Sequence, residues 1–355
     1  MKKLKFLVLP GEGIGPEITA ATLLVLEKVI RRFKLMAEIE LTEVGFQALA
    51  QFGTTIPDKI IAKAKAADGI VLGPLSHHDY PTVEEGGHNP SGVLRKQLDL
   101  FANLRPARTR TGIESPTGKT FDLIIVRENT EGFYADRSMF KGHGEFMPTE
   151  DVALSVRKIT RKGCKRILQE AFQLAEQRQQ KVTVVHKANV LRTSDGLFLE
   201  EAQKMAQNYP AITYEEQLID SMAALLIRQP EKYDVVVTTN MFGDILSDEA
   251  TELSGGLGLG AALNAGENHA MAQAQHGSAP DIAGKGIANP TSLMGSLAML
   301  LRWLGQRRRS EQLAEAGNLI DQLIDRGLKH PSTRTADLDG QLNTKEFGQW
   351  VASQI

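Results

Sequence analysis

Asp244 and Asp248 lie four apart in the run GDILSD, so a helix through them carries both carboxylates on one face. Two carboxylates that leave room for water and ligand oxygens suit Mg2+ or Mn2+, which prefer hard oxygen donors. A solvated helix end whose acidic residues answer the macrodipole has the same spacing. Arginine forks grip carboxylates in bidentate fashion. Three of them, Arg95 in VLRKQ, Arg105 in NLRP and Arg127 in VREN, fall at strand or helix ends. Converging, they would hold a di- or tricarboxylate; singly, each is an ordinary surface residue. Tyr134 and Lys187 also follow strand-like runs, where ligand crevices of α/β sheets open, and either side chain can move a proton. His276–Gly286 is a loop of small residues that either wraps a flat ligand or simply connects two elements.

Positioning such groups takes rigid elements, and the pattern supplies them. Short apolar runs at Leu4–Leu9, Glu38–Val44, Gly69–Leu72, Phe101–Arg108, Leu123–Arg127, Lys181–His186, Ile212–Gln217 and Val235–Thr238 read as strands. Helical patterns alternate with them at Pro16–Arg32, Pro57–Ala66, Gly92–Leu98, Thr160–Gln177, Asp195–Asn208 and Met241–Leu253. That alternation predicts an α/β protein with a largely parallel sheet. The last third reads as helices, Thr291–Gly305, Ser310–Arg326 and Thr344–Ala352, with few strands. A length of 355 residues calls for two domains or one large doubly wound one. The glycine-rich stretch Ser254–Gly260 marks an expected crossing between them.

Composition narrows the class. A formal net charge of −2 recruits neither nucleic acid nor a membrane surface, and Arg307–Arg309 reads as a solvated helix end. No run of about twenty apolar residues suggests a membrane span, and no targeting segment is visible at the start. One cysteine, Cys164, rules out an internal disulfide and a cysteine-based zinc site and fits a cytoplasmic setting. The opening GEGIGP invites a dinucleotide reading, but Pro16 stands where the third glycine of GxGxxG belongs, so a Rossmann fold is not expected.

Taken together and in order, GEGIGPE, LRKQLDLFANLRP, VRENTEGFYA, HKANVL, TTNMFGDILSDEA and HGSAPDIAGKGIANP resemble the decarboxylating β-hydroxyacid dehydrogenases that act on isocitrate, homoisocitrate, isopropylmalate or tartrate. The resemblance covers essentially the whole chain. It implies an isopropylmalate dehydrogenase-like two-domain α/β fold with the active site in the interdomain cleft. The large domain would be discontinuous, residues 1–100 with 255–355, and carry the dinucleotide. Residues 101–254 would form a small domain bearing the dimer interface. Asp136–Met147 matches the arm by which subunits clasp one another; as a sequence it is equally a disordered loop.

By the same resemblance, Arg95, Arg105 and Arg127 hold the malate carboxylates. Asp244 and Asp248 hold the metal, with Asp220 supplied by the neighbouring subunit. Tyr134 and the partner's Lys187 form the proton-transfer pair. His276, Gly277, Ala279, Asp281, Ile282 and Asn289 match the dinucleotide loop, and Ile14 and Leu257 its flanking contacts. The implied cofactors are NAD, favoured over NADP by Asp281, and Mg2+ or Mn2+. The implied partners are a small di- or tricarboxylate and a second copy of the chain. Two positions depart from the family: Glu12 replaces its usual aspartate, and Gln273 its common glutamate.

The turn before Arg95 sets which malate is taken. Isopropylmalate enzymes place leucines there, whereas this chain has Ser91 and Gly92, preceded by His88. A buried hydroxyl left unpaired against an alkyl group costs about 1–3 kcal/mol. The expectation is therefore a polar-substituted malate, isocitrate or homoisocitrate, with isopropylmalate as runner-up and tartrate or malate also open. A silent regulatory subunit would have lost arginines, aspartates, Tyr134 or Lys187, and none is lost.

Overall fold

Alternating short apolar runs and amphipathic stretches produce the expected layers. The structure, a computed structural model, describes residues 3–134, 139, 142 and 144–355. The chain forms two compact units: Met1–Leu98 with Arg110–Glu114 and Gly255–Ile355, and Asp99–Thr109 with Ser115–Ser254.

In chain order the first unit opens with β1 (Leu4–Leu9), α1 (Gly15–Arg32), β2 (Ala37–Leu41), α2 (Phe46–Phe52), α3 (Asp58–Ala66), β3 (Gly69–Leu72) and α4 (Pro90–Gln97). The second unit carries β4 (Ala102–Arg108), β5 (Asp122–Glu128), β6 (Glu145–Thr149), β7 (Val152–Ser155), α5 (Arg161–Glu176), β8 (Lys181–His186), α6 (Ser194–Ala206), β9 (Thr213–Leu218), α7 (Ile219–Arg228), β10 (Val235–Thr238) and α8 (Asn240–Leu253). The chain then returns to the first unit as β11 (Ala261–Ala265), β12 (Ala270–Ala274), α9 (Thr291–Arg308), α10 (Glu311–Leu328) and α11 (Thr344–Ser353).

Strands of the first unit run in the order β2-β1-β3-β12-β11, parallel except for the β11–β12 hairpin. Those of the second run β4-β5-β10-β8-β9, parallel except for β4–β5. Helix α9, buried from Thr291 to Leu301, lies against β11 and β12. Its small residues let it approach closely: Ser296 Oγ accepts from the Ala262 amide and donates to the Gln273 carbonyl, each at 2.9 Å. These two strands, AALNA and AMAQA, precede the three C-terminal helices and were not among the strands read from the sequence. Alanine is a poor strand former in isolation, and close packing under α9 overrides that preference. Helices α2 and α7 also went unread, because α2 is only seven residues long and α7 follows β9 with no intervening turn.

Three amides of the glycine turn are spent within the chain: Glu12 N–H donates to the Pro74 carbonyl, Ile14 N–H to Ser278 and Gly15 N–H to Glu12, each at 2.8 Å. The Glu12 carboxylate accepts from the Phe46 amide at 2.7 Å, the Ser76 amide at 2.8 Å and the Tyr80 hydroxyl at 2.6 Å. That conservative exchange for aspartate is therefore a structural hub. Gly13 has φ +58°, and a Cβ there would stand 2.0 Å from the Ser278 carbonyl oxygen.

Of the expected arm, positions 136–138, 140, 141 and 143 lie outside the described residues. Its end is strand: β6 pairs antiparallel with β7, with a register shift between Phe146 and Thr149. Phe146, Met147, Val152 and Leu154 are exposed. Among the described residues no helix is long and apolar enough to cross a membrane. Arg307–Arg309 is a helix end, as read, but not a merely solvated one: Arg308 pairs with Asp68, and Arg307 lies over the Trp303 ring.

Two outcomes test this framework. Gly13→Ala should lower stability by about 2 kcal/mol or more, through left-handed strain and the clash with Ser278, read as a fall in the urea midpoint. Burial and the carboxylates of Glu131 and Glu128 push the Cys164 thiol up to about 12. The native protein should therefore stay unlabelled by a thiol reagent at pH 8 and take up one equivalent after denaturation.

Candidate functional site

The chemistry of the second unit begins with β4 and β5. Their antiparallel register sets Asn103 opposite Arg127, with Arg105 two residues further along β4, and α8 lies across both strands. One face of α8 is apolar: Leu246, Ala250 and Leu253 enter a core with Leu123, Ile125, Val185, Met222 and Val236. Asp244 and Asp248 fall on another face of the same helix, as the four-residue spacing requires. Gly243 lets that helix approach, since a Cβ there would lie 2.6 Å from the Arg127 Cβ.

Both arginines are buried, Arg105 6% and Arg127 2% exposed. Arg105 Nη1 donates to Ser247 Oγ at 2.7 Å and to Asp248 Oδ1 at 3.1 Å, and stands 3.2 Å from Asp244 Oδ1. Arg127 donates twice to Asn240 Oδ1, from Nε at 3.0 Å and Nη2 at 2.8 Å, and its Nη1 pairs with Asp244. Tyr134 donates its hydroxyl to Asp244 Oδ2 at 3.3 Å. Burial first, then the charge of Arg127, pulls the Arg105 guanidinium down to about 10, still cationic at neutral pH. Two buried cations this close need the two aspartates. The aspartates do not act as a helix cap, because α8 starts at Asn240 with no acidic residue in its first turn. The capped-end reading is thereby excluded.

Asp248 is more than half exposed and Asp244 about one-third, so their carboxylates also face outward. Hard oxygen donors of this kind fit a divalent cation that keeps water or substrate oxygens as its other ligands. Among the described residues no group of three metal-ligating side chains forms within the chain. Asp220 lies elsewhere, at the start of α7, where its Oδ1 accepts from Lys187 Nζ at 2.6 Å. That pairing follows from the sheet: β8 pairs β9 with His186 opposite Leu218, so the residues just beyond them meet.

Lys187 is further fixed through its backbone. Its amide donates to Asp195 Oδ2 at 2.6 Å, and Asp195, fully buried, takes Arg157 Nη1 on its other oxygen at 2.6 Å. Arg157 also donates to Ser194 Oγ at 2.9 Å and Thr239 Oγ1 at 3.0 Å. Asp195, Arg157, Asn240 and Ser247 are the residues that sequence reasoning missed. Asn240 and Ser247 sat within a recognised motif, but Arg157 and Asp195 gave no local signal.

In the first unit, the loop from His276 runs beside the glycine turn: Ile14 N–H donates to the Ser278 carbonyl, and Ser76 Oγ to Ser278 Oγ at 2.8 Å. His276 Nδ1 faces the Gly277 carbonyl at 3.0 Å, while Nε2 is buried and has no partner. Burial holds this imidazole below its ordinary pKa. Ala279 adopts a left-handed φ of +40°, and Ile282 N–H closes a turn onto its carbonyl at 3.2 Å. Asp281 and Gly277 are exposed. Asn289 donates to Asp337 Oδ2 at 3.0 Å and accepts from the Thr291 amide at 2.9 Å. Leu257, two-fifths exposed, begins a short 3-10 turn next to Gly258, where a Cβ would lie 3.4 Å from the Asn289 Cβ. An orphaned buried nitrogen beside exposed loop atoms fits a ligand that brings its own hydrogen-bond donor.

Ser91 and Arg95 are one turn apart on α4, which Asn89 caps by accepting from the Gly92 amide at 3.2 Å. Both reach Gln273 Oε1, Ser91 Oγ at 2.9 Å and Arg95 Nη2 at 3.3 Å. This corrects one expectation from the sequence: the Ser91 hydroxyl is not left unpaired by an alkyl neighbour, because Gln273 accepts it. His88 is half-buried just before the cap, and its carbonyl accepts from Thr55 Oγ1 at 2.5 Å.

Comparison with known proteins adds to this geometry. The family model described as isocitrate/isopropylmalate dehydrogenase matches residues 5–351. The chain belongs to this family. It is similar to the homoisocitrate dehydrogenase of Methanocaldococcus jannaschii, 39% identical over 365 aligned residues covering 99% of this chain and 98% of the relative. The 3-isopropylmalate dehydrogenase of Archaeoglobus fulgidus is also 39% identical, over 99% of both chains. The isocitrate/homoisocitrate dehydrogenase of Thermus thermophilus is 37% identical, over 98% of this chain and 97% of that one. Among solved structures, isocitrate dehydrogenase from Methylococcus capsulatus superposes with a TM-score of 0.87 at 36% identity, covering 99% of each chain. The chain is thus a dehydrogenase, an enzyme of oxidoreductase class, with the isopropylmalate dehydrogenase-like α/β fold, not a Rossmann fold.

Within this dehydrogenase the Asp195–Arg157 pair anchors Lys187. Asp195→Asn removes the carboxylate and leaves a buried guanidinium without its counter-charge. The expected loss is about 3 kcal/mol, measured by chemical denaturation beside wild type.

Proposed function

We propose that this dehydrogenase carries out metal-dependent, NAD-linked oxidative decarboxylation of a 3-substituted malate, with isocitrate or homoisocitrate as its substrate. The observation that carries the reading is the Arg105–Arg127 pair held against Asp244 and Asp248. It combines two carboxylate-binding forks with two hard-oxygen cation ligands and a phenol. Named relatives acting on homoisocitrate and isocitrate support the substrate choice. A relative of equal identity named for 3-isopropylmalate supports the alternative, which the paired Ser91 hydroxyl does not penalise.

In this reading Arg95, Arg105 and Arg127 bind the malate carboxylates, and Asp244 and Asp248 hold Mg2+ or Mn2+ together with Asp220 of a second copy. His276, Gly277, Ala279, Asp281, Ile282 and Asn289 hold NAD, flanked by Ile14 and Leu257. When bound, the cation favours ionisation of the C2 hydroxyl and stabilises the negative charge formed on CO2 loss, and the nicotinamide accepts the hydride. The partner's Lys187 takes the hydroxyl proton, directly or through water. Asp220 beside it holds the lysine side chain in place. Tyr134 returns a proton to C3 after the carboxylate leaves. Its hydrogen bond to Asp244 keeps the phenol aimed at the substrate. Asp281 accepts the adenosine ribose hydroxyls and repels a 2′-phosphate, which selects NAD over NADP. The residue 1–100 and 255–355 part serves as the dinucleotide side, residues 101–254 as the dimerising side. Two copies share their sites in a cytoplasmic homodimer.

NADH formation by the purified protein with Mg2+ or Mn2+ tests the reading, comparing isocitrate, homoisocitrate, isopropylmalate, tartrate and malate. Tyr134→Phe and Lys187→Met should each lower kcat by about a hundredfold or more while the protein stays folded. Near-normal turnover in either would remove its assigned role, and a faster rate with NADP would remove the cofactor assignment.

A further inference from the structure

The polar hub at Gln273 has a fixed polarity. On β11 and β12, Asn264 and Gln273 are diagonal neighbours on one sheet face, since Ala262 pairs with Gln273 and Asn264 with Met271. Asn264 Nδ2 lies 3.4 Å from the Met271 carbonyl, so its amide group must point NH2 that way. The same nitrogen stands 3.3 Å from Gln273 Oε1. Arg95, which can only donate, reaches that same oxygen at 3.3 Å. Two obligate donors thus orient the Gln273 carboxamide oxygen toward α4. Ser91 Oγ, 2.9 Å away, completes a set of three donors on one carbonyl oxygen with two lone pairs.

An oxygen with three donors can release one and remain satisfied. Arg95 can only donate and Asn264 is oriented by the Met271 carbonyl, whereas a serine hydroxyl rotates. Ser91 is therefore the releasable donor. It lies one helical turn from Arg95 on the same face of α4, so a ligand carboxylate gripped by Arg95 brings the neighbouring part of the ligand to Ser91.

We infer that Gln273 is a specificity-determining positioning residue that lets the C3 pocket take both alkyl- and carboxylate-bearing malates. With an alkyl substituent, Ser91 keeps its proton on Gln273 and leaves no polar group unpaired. With a carboxylate substituent, Ser91 turns its proton to the ligand, and Gln273 stays satisfied by Arg95 and Asn264. The inference rests on the proposed malate chemistry only in assigning Ser91 to the C3 substituent.

The test compares isopropylmalate with isocitrate as ligands of the wild type and of Gln273→Met, Ser91→Ala and the double variant. Dissociation constants come from calorimetry with Mg2+, and kcat and KM from NADH formation. Wild type should bind the two within about tenfold of each other. Gln273→Met disturbs Arg95 equally for both ligands. It should weaken isopropylmalate by about tenfold more than isocitrate, the size of an unpaired hydroxyl. Adding Ser91→Ala should restore the ratio, which a general structural defect would not do. Equal losses for both ligands, or a ratio that Ser91→Ala leaves unchanged, would overturn the inference. Binding with this pattern but no turnover would refute the proposed reaction and leave the hub intact. Binding of neither ligand by the wild type would refute both.

Discussion

Everything in the second unit depends on keeping two guanidinium groups buried side by side. Arg105 and Arg127 repel one another and are stripped of water, a combination that depresses the Arg105 pKa. Neither would stay folded in without compensation, and α8 supplies it in one segment: Asn240, Asp244, Ser247 and Asp248 all accept from them or pair with them. The arrangement needs β4 and β5 antiparallel, a glycine at 243 and an apolar stripe to seat the helix. An arginine pair held this way is pre-organised, so meeting an anion would order little new structure.

The first unit solves a different problem. Its glycine turn spends its amides on neighbouring carbonyls, and Glu12 gathers three donors from α2, from the residues after β3 and from Tyr80. At the other side of that unit a carboxamide oxygen, not a carboxylate, receives Ser91, Arg95 and Asn264. Position 273 thus meets Arg95 with a neutral acceptor in place of an anion.

Much of this was legible in the residues, and the reasons differ by element. Strands such as β1, β3, β8 and β10 are short apolar runs with turn signals at both ends, and their bounds follow from the sequence directly. The strands β11 and β12 were not, because alanine says nothing of a strand until a helix presses on it. The carboxylate pair on α8 was legible because helical spacing is local. The Asp195–Arg157 pair was not: its partners come from segments 38 residues apart, and nothing around either marks it. The family resemblance placed Ser91 in the turn before Arg95, yet its partner on a distant strand reversed the energetic argument drawn from it. Polar groups in a core are judged by what they meet, and that information is tertiary.

The Asp195–Arg157 tie also joins two places that a reader of the chain would treat separately. One end holds the backbone of Lys187, and the other grips Thr239, the residue that precedes Asn240 and the arginine anchor. Positions 157, 195 and 239 therefore share one fate under neutral drift. A lineage that loses the hydrogen-bonding group at one of them can keep Lys187 and Asn240 in register only by changing the others, so these positions should vary together or not at all.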